Sequence, residues 1–246
     1  MHRLRVFAGP NGSGKSSLFD EFSKKYPTGI FVNADNIERE LKTKGYIDLN
    51  DFGLNLSNAD LKSFFKTKNA KSLLSKVISA ESNEFKIEIS KNIIVSKGSS
   101  PNSYLGALVA AFIRSFLLKN KISFSFETVM SHSSKIADLQ HAKDIGFKTY
   151  LYFICTDDPI FNKSRVENRV RKGGHPVDSE KIKSRYFKSL ENVMPAIDFS
   201  DRVYFFDNSG LEFERIAEVQ NGQLVINVEP TNLPNWFIEY VLKYFV

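Results

Sequence analysis

The sequence predicts an α/β protein: a mostly parallel sheet flanked by helices, with an inserted segment. Three observations carry this. Short apolar runs recur along the chain and alternate with helical stretches. The first of them, Leu4–Ala8, leads directly into the glycine-rich stretch "AGPNGSGKSS" and then a helix. Four later runs end at or beside carboxylates: Asp35, Glu127, Asp157/Asp158 and Asp207. Parallel strands covered on both faces read as unbroken apolar runs, and such sheets bind ligands at the carboxyl ends of their strands. Those ends are therefore expected on one rim.

The elements follow in order. Leu4–Ala8 is a strand, and residues 15–26 form a helix after the glycine loop. Pro27-Thr28-Gly29 is a turn, and Ile30-Phe31-Val32 is a second strand that runs into a helix ending near Lys44. An apolar helix over 104–119 precedes the third strand, 124–127, and residues 135–144 read as helical. The fourth strand is 150–155. A helix over 158–172 is broken by Gly173-Gly174-His175-Pro176, where His175 is a turn residue, and residues 179–194 are helical again. The fifth strand, 203–206, ends at Asp207. Residues 1–246 are expected to form one domain of P-loop NTPase/kinase type. Residues 49–106 fit less well and read as an insertion within it, facing substrate or a partner, or else as a surface excursion. Inside it, "NEFKIEISKNIIVS" alternates apolar and polar residues around Ser90-Lys91-Asn92, as a small hairpin would.

Composition sets bounds on partners. The chain of 246 residues is 42% apolar and 25% charged, an ordinary balance for a globular protein with a sizeable core. Its one cysteine, Cys155, cannot form an internal disulfide, and no secretory signal precedes the first strand, so a reducing, cytoplasmic setting is expected. The longest apolar stretch, 105–113, stops at Arg114, far short of the roughly 20 residues that cross a bilayer. Net charge is +6. Between Lys163 and Lys188 nine basic residues face three acidic ones, an excess equal to that whole net charge. The basicity is one segment and not a general coating. A triphosphate explains it as well as a nucleic-acid backbone does, and only Tyr186 and Phe187 offer rings for base stacking there, which makes nucleic acid the weaker partner.

Gly9 to Ser16 fits G-x-x-x-x-G-K-[ST], in the right context between strand and helix. In that pattern glycines let backbone N–H groups turn toward phosphate oxygens at a helix N-terminus. The expected ATP-binding residues are Gly9, Pro10, Asn11, Gly12, Ser13, Gly14, Lys15, Ser16 and Ser17, with Lys15 on the β/γ-phosphates and Ser16 on Mg²⁺. Asp35 can take a proton from an acceptor hydroxyl, or it can cap the helix that follows. Glu127 can hold an acceptor hydroxyl or a water on Mg²⁺, or be a buried structural acid. Asp157 and Asp158 resemble a strand-end metal site, but Pro159 favours a helix start. In "SRVENRVRKGGHPVDSEKIKSRYFKSL", Arg165 and Arg169 share a helix face, Arg171 adjoins the glycine pair and Arg185 lies beyond it. Such a segment suits a lid over phosphates, or a solvated basic helix pair. His132 is a turn residue, and no His/Cys spacing suggests zinc.

With these residues in place, the chain resembles the zeta toxin family of P-loop kinases, in the zeta-like branch labelled predicted ATPases. The matching pieces are "AGPNGSGKSS", "FVNAD", "FSFETVMS", "RVENRVRKGGHPV", "IKSRYFKSLEN" and "YFFDNSG", in the family's order. The resemblance implies transfer of the γ-phosphate of ATP to a hydroxyl. It makes Lys15 the loop lysine, Asp35 the catalytic base, Arg165 and Arg171 lid arginines, and Glu127, with Thr128 and Arg39, the acceptor side. It also implies an antitoxin or other protein partner. Two departures stand out. Glu38 sits where the family has a basic residue, with Arg39 one place later, and residues 49–106 have no counterpart in the best-known toxins. The expected activity is an ATP- and Mg²⁺-dependent phosphotransferase acting on a small-molecule hydroxyl, such as that of a nucleotide sugar. The alternatives are a regulatory NTP-binding module acting through a protein partner, and a polynucleotide kinase.

Overall fold

A computed structural model describes residues 1–80, 86–97, 101–174 and 177–245. The chain starts with β1 (Arg3–Ala8) and α1 (Lys15–Lys25), then β2 (Ile30–Val32), α2 (Ala34–Lys44) and β3 (Tyr46–Asp48). Next come α3 (Asn58–Phe65), α4 (Lys68–Ala80), β4 (Lys86–Ser90), β5 (Ile93–Lys97) and α5 (Ser103–Lys119). They are followed by β6 (Phe124–Thr128), α6 (Ser134–Asp144), β7 (Lys148–Cys155), α7 (Pro159–Arg171), α8 (Ser179–Glu191) and α9 (Val193–Ile197). The last elements are β8 (Arg202–Asp207), β9 (Glu214–Gln220), β10 (Gln223–Ile226) and α10 (Asn235–Tyr240). Two compact units result: Met1–Gly29 with Phe124–Val246, and Ile30–Ser123.

In the first unit the strands lie in the order β10-β9-β8-β7-β1-β6. The four around β1 are parallel: β1 pairs with β6 and β7, and β7 pairs with β8. Leu4 stands opposite Phe124 and Val6 opposite both Phe126 and Leu151, and all five are fully buried. Burial on both faces explains why these runs lack alternation. Helix α1 seats Phe19 against Phe7, edge to face at 5.1 Å, and Phe7 stacks on Tyr152 at 4.7 Å. Because β1, β6, β7 and β8 are parallel, Gly9, Glu127, Asp157 and Asp207 leave the sheet along one rim.

The sequence reading assigns nothing beyond Asp207, yet β9 and β10 continue the sheet antiparallel to β8. After them α10 buries Trp236 and Phe237 against Phe205. The helix expected over 179–194 is in fact two, divided at Asn192, whose amide donates to the carbonyls of Met130 (2.8 Å) and Lys188 (2.9 Å). Gly173, at φ 86°, ends α7, and the amide of Gly174 donates to the Arg169 carbonyl. His175 and Pro176 of the expected break lie outside the described residues, as do 81–85 and 98–100 of the expected insertion.

The second unit holds an antiparallel sheet, β3-β5-β4. The hairpin expected around Ser90-Lys91-Asn92 is present: Lys91 and Asn92, at φ 49° and 63°, turn β4 into β5. The three-residue β3 pairs with β5 and was missed in the sequence, being too short to show a period. Helix α5 is buried over most of its length and crosses α2 so closely that a Cβ on Gly106 would lie 2.6 Å from the Ala34 carbonyl oxygen. Among the described residues no helix is long and apolar enough to cross a membrane.

Candidate phosphate-binding site

The loop between β1 and α1 is shaped by three glycines at φ 146° (Gly9), 81° (Gly12) and 100° (Gly14). Side chains rarely adopt such angles, and there is no room for them either. A Cβ on Gly9 would lie 1.9 Å from the Ile154 carbonyl oxygen of β7, and one on Gly12 would lie 2.5 Å from the Asn162 carbonyl oxygen of α7. On Gly14 it would meet the Asn208 side-chain nitrogen at 2.4 Å. The loop is thus held against a strand, a helix and the segment after β8. Asn208 fastens the third contact, its Nδ2 donating to the Ser13 carbonyl at 2.8 Å and its backbone N–H to the Cys155 carbonyl at 2.8 Å.

Gly14 is the N-cap of α1 and supplies no side-chain cap, so the first N–H groups of that helix keep their donors for a ligand. The Oγ of Ser13, fully buried, has no partner among the described residues, and neither do the buried atoms Asn11 Oδ1, Asn162 Nδ2 and Arg165 Nη1. Lys15 lays its ammonium across the loop, donating to the carbonyls of Gly9 (2.9 Å) and Pro10 (2.7 Å). Ser16 donates to Glu127 Oε2 at 3.0 Å, which joins the loop to the end of β6. This is a pair of hard oxygens, the kind Mg²⁺ takes alongside phosphate oxygens and water. Glycines that admit no Cβ, an uncapped helix start and orphaned buried polar atoms fit a phosphate chain with Mg²⁺.

Other predicted residues resolve unevenly. Asp158 caps α7, accepting from the Ile160 N–H at 2.7 Å, with Pro159 in the first helical turn, as Pro159 suggested. Asp157 is different. It accepts from Asn235 Nδ2 (3.1 Å) and the Trp236 N–H (3.3 Å), and so anchors α10, not α7. Asp207 is likewise engaged, by Ser209 and by the Trp236 indole N–H at 2.9 Å. The hydroxyl of Thr128 accepts from the Met130 N–H. Thr156 donates to Asn162 Oδ1, and the Tyr186 hydroxyl donates to the Thr156 carbonyl at 2.7 Å, tying α7 and α8 to the rim. Burial pushes the Tyr186 phenol and the Cys155 thiol well above their ordinary pKa values and raises Tyr152 to about 12.

The basic segment divides by helix face. Arg165, Arg169 and Lys172 follow one another at helical spacing and, with Asn168 and the two glycines, line a cavity of about 450 Å³. Arg171 is not part of that lining, though its guanidinium donates to Asn168 Oδ1, which is. The spacing of Arg165 and Arg169 announced their shared face in the sequence, whereas Lys172, three residues further on, was not grouped with them.

In the second unit, Asp35 is not the helix cap. Asn33 takes that place, its Oδ1 accepting from the N–H groups of Asp35 (2.8 Å) and Asn36 (3.1 Å). Asp35 and Arg39 stand one turn apart on α2, both exposed, and Arg39 donates to Asn36 at 2.9 Å. Glu38 faces inward, only 4% exposed and ion-paired with Lys42 at 2.5 Å.

No family model matches the chain. Over 71 residues, 29% of this chain and 51% of the other, it is 34% identical to an uncharacterized protein of Haemophilus influenzae, so the match spans about half of that relative. A structure of AvrRxo1-ORF1:AvrRxo1-ORF2 with sulphate ions aligns over 92% of this chain at a TM-score of 0.54 and 19% identity. The structure of AvrRxo1-ORF1:-ORF2 with ATP aligns likewise at 0.53 and 19%. Each alignment covers 61% of the neighbour's chain, which extends well beyond this one. At such identity the likeness is one of fold, and the fold is α/β with a mostly parallel, helix-flanked sheet.

Proposed function

We propose that the chain is an ATP- and Mg²⁺-dependent phosphotransferase that moves the γ-phosphate to a hydroxyl of a small molecule, a nucleotide sugar being one candidate class. The loop carries the reading: three glycines that exclude any side chain, beside an uncapped helix start, with Lys15 and the Ser16–Glu127 pair at its mouth. That a protein of similar fold is solved with ATP supports nucleotide as the ligand. Bound there, Mg²⁺-ATP supplies an electrophilic phosphorus and a leaving group whose charge the metal helps to neutralise.

The chain's own residues do the rest. The N–H groups between Gly9 and Ser17 receive phosphate oxygens, and Lys15 exchanges its loop carbonyls for them. Ser16 would hold the metal, and Glu127, which accepts from the Ser16 hydroxyl, stands where it would hold a water on that metal or the acceptor hydroxyl. Arg165, carrying a buried nitrogen with no partner among the described residues, supplies positive charge from α7, with Arg171 as the second lid arginine. Asp35 is the proposed base for the acceptor hydroxyl: Asn33 does the capping, and the Asp35 side chain is exposed with no cap to make among the described residues. Glu127, Thr128 and Arg39 are proposed for the acceptor side.

γ-Labelled ATP incubated with a metabolite extract tests this. Label should pass to an alcohol that mass spectrometry identifies, Lys15→Ala should give none, and Asp35→Asn should keep nucleotide binding while transfer falls by roughly 10²–10⁴, the usual share of a general base. Tight ATP binding with no transfer to any acceptor would favour the second reading, a regulatory module acting through a protein partner. That reading draws support from AvrRxo1-ORF1 being solved with a second chain, AvrRxo1-ORF2. Oligonucleotide transfer in the same assay would favour a polynucleotide kinase.

A further inference from the structure

The sheet of the first unit ends at β10, and its backbone there is open. Asn221 and Gly222, at φ 52° and 76°, make a two-residue turn, after which Gln223 pairs with Gln220, Val225 with Glu218 and Ile226 with Ala217. In a hairpin closed by two residues the first pair exchanges both backbone bonds, and alternate residues then face away from the partner strand. Gln223, Val225 and Asn227 therefore turn toward β9, in keeping with the 2.8 Å bond from the Asn227 N–H to the Ile216 carbonyl. Leu224 and Ile226 aim their N–H and C=O groups outward. Among the described residues no backbone bond takes them up.

Exposed edges are ordinarily protected by a lysine, a proline, a bulge or a covering segment. Here none of the first three is present. The chain is 25% charged, yet Val219 to Val228 carries no charge and no proline, and the β9–β10 register has no irregularity. Apolar side chains stand out on both faces of the strand, Val225 at 50% and Ile226 at 37% exposure. The nearest charge on β9, Glu218, is offset by Arg215 at 3.6 Å.

We infer that β10 is a dimerisation edge, pairing antiparallel with β10 of a second copy about a two-fold axis at Val225. The outward groups dictate that register. Leu224 exchanges both of its backbone bonds with Ile226 of the partner subunit, Ile226 does the same with Leu224 of the partner subunit, and Val225 meets Val225 of the partner subunit in the close, non-bonded position. A second copy is the occupant the strand fits, because a neutral apolar strand meets its own like without an uncompensated charge, whereas a charged strand would find no counter-charge here. The sheet then runs unbroken through both copies, joined by an isologous contact.

Light scattering on the full chain tests it, with an expected mass about twice the 28.0 kDa of one copy at micromolar concentration. Leu224→Pro deletes only an outward N–H, which an edge position tolerates, and should return the single-copy mass with an unchanged circular dichroism spectrum. Val225→Cys should form an intermolecular disulfide on mild oxidation, since facing residues at a close pair lie within the roughly 4.4–6.8 Å that a disulfide spans. Gln223→Cys, two residues from the axis, should not; buried Cys155 leaves the background clean. A wild-type chain that stays at 28.0 kDa at every concentration overturns the inference, and so does a dimer that Val225→Cys fails to cross-link. The second variant keeps the test decisive if Leu224→Pro does not fold.

Discussion

Alanine at each of the three loop glycines should cost different amounts, in an order set by what each Cβ would strike. All three positions add about 1–2 kcal/mol for forcing a side chain to positive φ. Beyond that the sites diverge. At Gly9 the obstacle is the Ile154 carbonyl of β7 at 1.9 Å, about 1.5 Å inside ordinary contact, and a central strand cannot withdraw that far. Overpacking adds about 1–3 kcal/mol, and a clash this deep belongs at about 2–3, so Gly9→Ala should lose roughly 3–5 kcal/mol of stability. Gly12→Ala meets the α7 backbone at 2.5 Å, and a helix can shift as a body, which puts the loss nearer 2–4 kcal/mol. Gly14→Ala meets only side-chain ends, Asn208 at 2.4 Å and the Phe213 ring at 2.9 Å, and should cost about 1–2 kcal/mol. Because Asn208 also bonds the Ser13 carbonyl, Asn208→Ala alone should cost about 1 kcal/mol, and the Gly14→Ala/Asn208→Ala double variant should cost less than the two singles together. Urea unfolding gives the stabilities, and on the proposed function titration with a fluorescent ATP analogue should show binding lost in the same order. A Gly14→Ala loss equal to that of Gly9→Ala, or strict additivity with Asn208→Ala, would refute this account of the loop.

Two further expectations concern groups away from the loop's glycines. Burial keeps Cys155, Tyr152 and Tyr186 protonated in the native state, so above about pH 9 the unfolded chain releases these protons first and stability falls as pH rises. Cys155 and Tyr152 should each contribute up to about 1.4 kcal/mol per pH unit past their ordinary values; urea midpoints at pH 7.5, 9 and 10.5 should decline, Tyr152→Phe should flatten the decline, and a level profile would contradict the assignment. Asp157→Ala frees the start of α10 and should cost about 1–2 kcal/mol of stability while leaving the Mg²⁺ dependence of nucleotide binding as in wild type, whereas a shifted Mg²⁺ requirement would return Asp157 to the metal site.

What could be read from the sequence follows the range of the interactions involved. The phosphate loop is local: glycines at positive φ, a helix start without a cap and a lysine lie within a few residues, so the pattern of residues is itself the geometry. The strands of the parallel sheet were legible because burial on both faces writes itself as an unbroken apolar run. The β9–β10 hairpin carried a local signal too, Asn-Gly between apolar runs, although the expected elements stopped at Asp207. Asn33 and Asp35 are equally good caps by residue type, and the choice between them turned on where β2 stops, a shift of one or two residues. Asp157 and Asp158 are adjacent carboxylates with opposite employments, decided by Asn235, 78 residues away. The Asn208–Ser13 bond, spanning 195 residues, had no local signature at all. Yet that long bond is what fixes the loop's third side, because a flexible glycine stretch keeps a phosphate-ready shape only when its carbonyls are held from outside. The local motif supplies the N–H donors, and the distant asparagine stops them from relaxing.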